Sequence, residues 1–193
     1  MSQVRFVARD AAPIFLVAGL IAVGWAGYVV VDAKVYQARA HTRLVRERAH
    51  ADPAPAVIDG AAIGEIRIAR LDVSAVVAQG DSPAILDRAV GHLADTALPG
   101  HVGNVVLAGH RDTFFRPLKR VKAGDAITLT TPDGDFTYLV ESTAVVRPGD
   151  IDVLAPTGGR TLTLITCFPF SYLGPAPDRF IVRARETEAT LTH

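Results

Sequence analysis

A single cysteine, Cys167, stands among 193 residues. An internal disulfide and a Cys-rich zinc site are therefore excluded. The six histidines, at 41, 50, 92, 101, 110 and 193, are scattered, with no pair at i, i+4 spacing. No structural metal is assigned on that pattern. Net charge is absent too: 20 basic residues balance 20 acidic ones, so nothing in the balance calls for nucleic acid as a partner. Internal repeats are absent, and low complexity is confined to Ala51-Asp-Pro-Ala-Pro55. With 49% hydrophobic and 21% charged residues, the chain has ample material for a core and is not a disordered segment.

The charge that is present is unevenly placed. Residues 1–56 carry seven Lys/Arg and four Asp/Glu, and residues 57–193 carry thirteen and sixteen. Four segments follow: a polar tail at 1–10, an uncharged apolar run at 11–31, a basic stretch with a Pro-containing linker at 32–56, and a domain at 57–193. The 21 residues from Ala11 to Val31 make about 30 Å of helix, the thickness of a bilayer core. Trp25 and Tyr28 suit an interfacial aromatic belt. A cleaved signal peptide is the competing reading, but its apolar region is normally shorter and no tidy Ala-x-Ala site follows. A single-pass anchor is expected. Arginines on both flanks leave the side of the membrane open. Residues 32–50 read as a basic helix, with a solvated stalk favoured over a segment lying on anionic headgroups.

The domain reads as mainly β. Ile63–Leu71, Ser74–Gln79, Asn104–Gly109, Ala126–Thr131, Phe136–Val146, Thr161–Cys167 and Phe180–Arg183 alternate or run apolar. Pro132-Asp133-Gly134-Asp135 is the strongest hairpin signal. A helix start at Asp81-Ser82-Pro83 leads an apolar stripe through Leu93, and Phe114–Leu118 reads as one helical turn. Seven or eight short strands with little helix predict a closed or nearly closed β-barrel.

Three strand-to-loop transitions carry chemically useful residues. The strand TLTLITC ends on Cys167, where Pro169 stops the ladder. Asn104–Gly109 ends on His110. Arg179 opens the last strand, twelve residues beyond the cysteine. Each has an ordinary explanation: a buried thiol as a small hydrophobe, a rim histidine, a solvated arginine. Sites collect at a shared barrel rim, and there the three would form a nucleophile, a proton carrier and a fixed positive donor. Thr166 adjoins the cysteine but lies on the opposite strand face, so its backbone is better placed than its hydroxyl to touch substrate.

LAGHRDT around His110, TLITC ending in Cys167 and GPAPDRFIV around Arg179 resemble the three signatures of the sortases, in the same order. The likeness covers essentially all of 57–193, and the aromatic-Pro-Phe tail after the cysteine is most similar to class D. The resemblance implies an eight-stranded barrel held outside the cytoplasmic membrane by its amino-terminal helix. It also implies a cysteine transpeptidase that cuts an LPxTG-like sorting signal after threonine, holds the acyl group as a thioester and passes it to an amine. By the same likeness Cys167 is nucleophile, His110 acid/base and Arg179 the stabiliser of substrate and oxyanion. Some relatives use calcium; no acidic cluster here demands it, and no cofactor is expected. The implied partners are proteins with a carboxyl-terminal sorting signal, an amine acceptor from cell wall or protein, and the membrane.

A papain-like peptidase is disfavoured because its cysteine precedes its histidine, and the Ser-x-Gly-Cys context of L,D-transpeptidases is absent. A membrane-tethered barrel that binds a partner, with an inert Cys167, is the non-enzymatic alternative. Iodoacetamide separates the two. Rapid modification of Cys167 that abolishes peptide cleavage is expected of the enzyme, and an unreactive thiol is expected of the binding module.

Overall fold

The computed structural model describes residues 16–25, 27–28, 31–39, 41, 58–172 and 174–187. Eight strands close into one barrel: β1 (Ala62–Ile68), β2 (Val73–Gln79), β3 (Val90–His92), β4 (Gly103–Ala108), β5 (Ala126–Thr131), β6 (Gly134–Val146), β7 (Arg160–Phe168) and β8 (Asp178–Glu186). Their order around the barrel is β1-β2-β3-β4-β7-β8-β6-β5, with β5 returning to β1. Closure leaves no full-length edge strand to pair with another chain.

Alternation fills the interior. Ile66 and Ile68 of β1, Val105 and Leu107 of β4, Leu162 and Leu164 of β7, and Val182 and Ala184 of β8 meet in one buried cluster. These are every-second residues, as a pleated strand with one inward face requires. Pro132 and Asp133 form the two-residue turn between Thr131 and Gly134, which pair as the ends of β5 and β6. The expected turn at Phe114–Leu118 is a short 3-10 helix at Arg116–Arg120.

One expectation is corrected. The apolar stripe from Ser82 to Leu93 is not a continuous helix: helix covers only Pro83–Leu86, and Val90–His92 form a strand parallel to β2. Close approach explains the break. A Cβ on Gly91 would lie 2.4 Å from the Gly80 carbonyl oxygen and 2.9 Å from Leu86, so the chain passes directly beneath its own preceding loop. Tertiary pairing outweighs a three-residue stretch's weak helical preference.

Of the expected basic helix at 32–50, residues 40 and 42–50 lie outside the described set. Residues 31–39 are helical and lie against the barrel. The Gln37 amide accepts a hydrogen bond from the Val76 N–H of β2 (2.7 Å) and donates to the Arg88 carbonyl. β3 pairs with β2 only from Val77 onward, so Gln37 satisfies backbone groups where the ladder has not yet begun. Tyr36 donates to the Gly60 carbonyl (3.2 Å), and the Arg88 guanidinium lies over its ring at 5.1 Å. His41 and Glu65 meet at 2.9 Å. The expected anchor at 11–31 is helical over 16–25 and 27–28, where Leu16, Leu20, Ile21 and Trp25 are exposed. No helix among the described residues is long and apolar enough to cross a membrane. Residues 11–15, 26, 29 and 30 lie outside the described set, as do the tail at 1–10 and the linker at 51–55.

His92 lies on the short strand β3, almost fully buried, with Nδ1 2.9 Å from Gln79 Oε1 and Nε2 2.9 Å from the Ala97 carbonyl. Burial holds its pKa below the ordinary histidine value, only partly offset by the Ala97 hydrogen bond. The folded-state pKa is therefore the lower one, so the unfolded chain takes up this proton first. The corresponding stability is present in full above about pH 6.5 and is lost as the pH falls from there through the lower folded-state value. Urea unfolding of the wild type is expected to show this loss as the pH is lowered below about 6.5. His92→Gln, which cannot titrate, is expected to flatten that limb.

Candidate active site

β7 is the strand that assembles the site. On one side it runs antiparallel to β8, and Cys167 pairs directly with Arg179. Directly opposed residues share a face, with Cβ atoms about 5 Å apart. On its other side β7 runs parallel to β4 in unbroken register from Gly103↔Arg160 to Ala108↔Ile165. The contact continues past the last pair: the Gly109 N–H donates to the Ile165 carbonyl (3.1 Å) and the Thr166 hydroxyl donates to the Gly109 carbonyl (2.7 Å). His110 thus follows the end of β4 two positions past the Ala108↔Ile165 pair, as Cys167 does on β7. The fold brings all three residues to one rim.

The faces are consistent with this placement. Leu162, Leu164 and Thr166 point into the barrel, and Thr166 is buried with its hydroxyl occupied by Gly109. Only its main chain is left to face a ligand. Cys167 is half-buried and lies outside the hydrophobic clusters, on the outer face with Thr163 and Ile165. On the inner side of the same rim, Phe168, Phe170 and Phe180 form a ring cluster with centroid separations of 6.0, 6.2 and 5.2 Å. Such aromatic pairs pack well edge-to-face or offset, and Phe170 and Phe180 also pack against the barrel core.

His110 depends on its neighbours for position. A Cβ on Gly109 would come within 2.8 Å of the Phe115 ring. Phe115 is fully buried in the core, and its N–H donates to the His110 carbonyl (3.1 Å). The loop therefore folds back and plugs the barrel just below the imidazole. On its exposed side His110 Nε2 lies 3.5 Å from Asp87 Oδ1. Arg179 Nη1 donates to the carbonyls of Asp178 (3.0 Å) and Ala176 (3.4 Å). No other partner of its guanidinium is recorded among the described residues.

Several supporting residues escape a reading by residue type. Arg111, next to the histidine, reaches across the rim to the β7–β8 connection. Its Nη2 donates to the carbonyls of Tyr172 (2.7 Å) and Gly174 (2.9 Å), and its guanidinium lies 6.0 Å from the Tyr172 ring centroid. Asn104, buried at the start of β4, accepts from the Thr163 hydroxyl (2.6 Å) and donates to the Val153 carbonyl (3.0 Å). It thereby pins the β6–β7 connection over the outer face that carries Cys167. Asn104 opens an otherwise apolar run, and that lone polar side chain was the available signal. Arg111 lies inside the histidine motif but bears no mark in sequence that distinguishes a bridge from a solvated charge. Among the described residues no three His, Cys, Asp or Glu side chains group into a metal-binding set.

A family model described as a sortase domain matches residues 66–187. Sortase D of Bacillus subtilis (strain 168) is 30% identical over 191 residues, covering 90% of this chain and 96% of that protein. Among solved structures, a Clostridium perfringens sortase D5 transpeptidase superposes with a TM-score of 0.68 at 29% identity, covering 80% of this chain and 97% of that one. Sortase A from Corynebacterium diphtheriae gives 0.63 at 31% identity over 70% of this chain and 65% of that one.

The Arg111 bridge ties the histidine loop to the loop that leads into Arg179. Displacements of about 1 Å at reacting groups can cost up to 10²-fold in rate. Arg111→Gln is expected to lower kcat/KM for peptide cleavage about 10- to 100-fold while the thermal midpoint changes little. Steady-state kinetics beside a melting curve checks both.

Proposed function

Since the chain belongs to the sortase family, we propose that this cysteine transpeptidase cleaves an LPxTG-like sorting signal through a thioester on Cys167 and transfers the acyl group to an amine. The observation that supports this most is the direct pairing of Cys167 with Arg179 across β7 and β8, with His110 delivered to the same rim by β4.

In this reading the Cys167 sulfur attacks the threonine carbonyl of the bound signal, and a C–S bond forms as the carbonyl electrons move to oxygen. The Arg179 guanidinium, a planar fork of donors, holds that oxyanion or the adjacent substrate carbonyl. The C–N bond then breaks as His110 gives a proton to the departing amine. The acyl group remains on sulfur. An incoming amine attacks the thioester, His110 takes its proton, and the thiolate leaves. Thr166 contributes its main chain to the substrate cleft.

The same proposal places the barrel outside the cytoplasmic membrane, held by residues 11–31. The uncharged stretch and the exposed apolar side chains of its described part support an anchor. Substrates are proteins bearing the signal near their carboxyl terminus, and acceptors are amines of cell-wall peptides or of other proteins. The likeness to sortase D supports a class D assignment.

Cleavage of LPxTG and LPxTA peptides by the full chain, with several amines present, tests the reading. Cys167→Ala is expected to abolish turnover and thioester capture. Loss of one oxyanion donor costs on the order of 10²–10³ in rate, and Arg179→Ala is expected to fall in that range. Arg179→Lys is expected to lose most activity as well, because a point charge does not reproduce the fork. Full activity in Cys167→Ala overturns the thioester mechanism, and near-normal turnover in Arg179→Ala overturns the role given to the arginine.

A further inference from the structure

We infer that Asp87 is a positioning residue for the imidazole of His110, and that the amino-terminal helix is the brace that keeps Asp87 in place. The inference rests on the reading of His110 as the acid/base.

The chain of contacts is continuous. Asp87 follows the single helical turn Pro83–Leu86 and precedes Arg88. Its N–H donates to the Pro83 carbonyl (3.0 Å). Arg88 is held at three points: its carbonyl accepts from Gln37, its Nε donates to the Ala84 carbonyl (2.9 Å), and its guanidinium lies over Tyr36. Gln37 is itself fixed by the Val76 N–H of β2, and Tyr36 by the Gly60 carbonyl. Asp87 is therefore gripped on both sides, and its Oδ1 lies 3.5 Å from His110 Nε2.

That contact selects a role for each ring nitrogen. A carboxylate only accepts, so it favours the tautomer with the proton on Nε2. Nδ1, for which no partner is recorded among the described residues, is left for proton exchange with thiol and amine. The other charged or ionisable groups around the ring are Cys167 on β7, Arg179 on β8 by register, and Arg111 and Asp112 on its own loop. Arg111 is engaged with Tyr172 and Gly174. Asp87 is the one of these groups with a recorded contact to the imidazole. Both partners are largely exposed, with side chains 40% and 63% accessible. A pair so exposed adds little to stability, so its effect falls on orientation.

The test uses the full-length chain in detergent micelles, labelled with 15N in the histidine rings. In wild type, at a pH where the imidazole is neutral, the His110 ring shifts are expected to show its proton mainly on Nε2. Asp87→Ala is expected to mix the two tautomers and to lower kcat about two- to fivefold with KM unchanged. Asp87→Asn, whose amide donates as well as accepts, is expected to lose the Nε2 preference, and Asp87→Glu, which keeps an accept-only carboxylate, to retain the wild-type tautomer. Gln37→Ala is expected to move the ring signal in the same direction as Asp87→Ala. Combining the two is expected to add nothing to Asp87→Ala alone. An unchanged ring signal and kcat in Asp87→Ala overturn the positioning role. An unchanged signal in a folded Gln37→Ala, or independent effects in the double variant, overturn the brace. The ring signal is read without turnover, so a failure of the transpeptidase reading, seen as cleavage by Cys167→Ala, is told apart from a failure here.

Discussion

Two ladders meet on β7, and the active rim depends on their register. The antiparallel ladder with β8 sets Cys167 against Arg179. The parallel ladder with β4 carries the chain to His110, and Thr166 extends that ladder by giving its hydroxyl to Gly109. A slip of one residue in either ladder would turn the thiol toward the core or move its partner to the other face. Register is protected by the inward side chains. Leu162 and Leu164 must meet Val105, Leu107 and Val182 inside the barrel, so the hydrophobic effect that closes the barrel also aligns the chemistry.

The loops beyond the strand ends are then held by few but specific contacts. Phe115 locks the histidine loop from within, and Arg111 ties it from without to the β7–β8 connection. Asn104 and Thr163 hold the β6–β7 connection against the same outer face. Functional groups placed on strand ends and fixed by buried or bridging partners are more precisely located than groups on free loops. The amino-terminal helix belongs to this set of supports. Gln37 completes the hydrogen bonding of β2 before β3 begins, and the same residue grips the segment that faces His110.

The barrel class follows from patterning that is local, which by itself left the strand count at seven or eight. β5, β6 and β7 alternate clearly, and the turn at Pro132-Asp133 has a chemistry of its own, so these elements were legible. β3 was not. Val90-Gly91-His92 is too short to show a period, and its pairing with β2 is a long-range contact that no neighbouring residue announces. The docking of the helix at 31–39 was hidden for a related reason: basic and polar side chains look alike whether they meet water or a backbone carbonyl. Arg111 and Gln37 are both of this kind.

Residue order and type alone determined that a lone thiol, an imidazole and a guanidinium stand at strand ends, because prolines, glycines and the end of alternation mark those positions along the chain. Their adjacency was decided by tertiary structure, since which strands become neighbours in a barrel depends on pairing between segments far apart in the chain, as Glu65 and Thr130 are. So was the support of the imidazole by Asp87 and of Asp87 by the amino-terminal helix. Those contacts are made by side chains whose identity allows many partners, and only the closed barrel selects one.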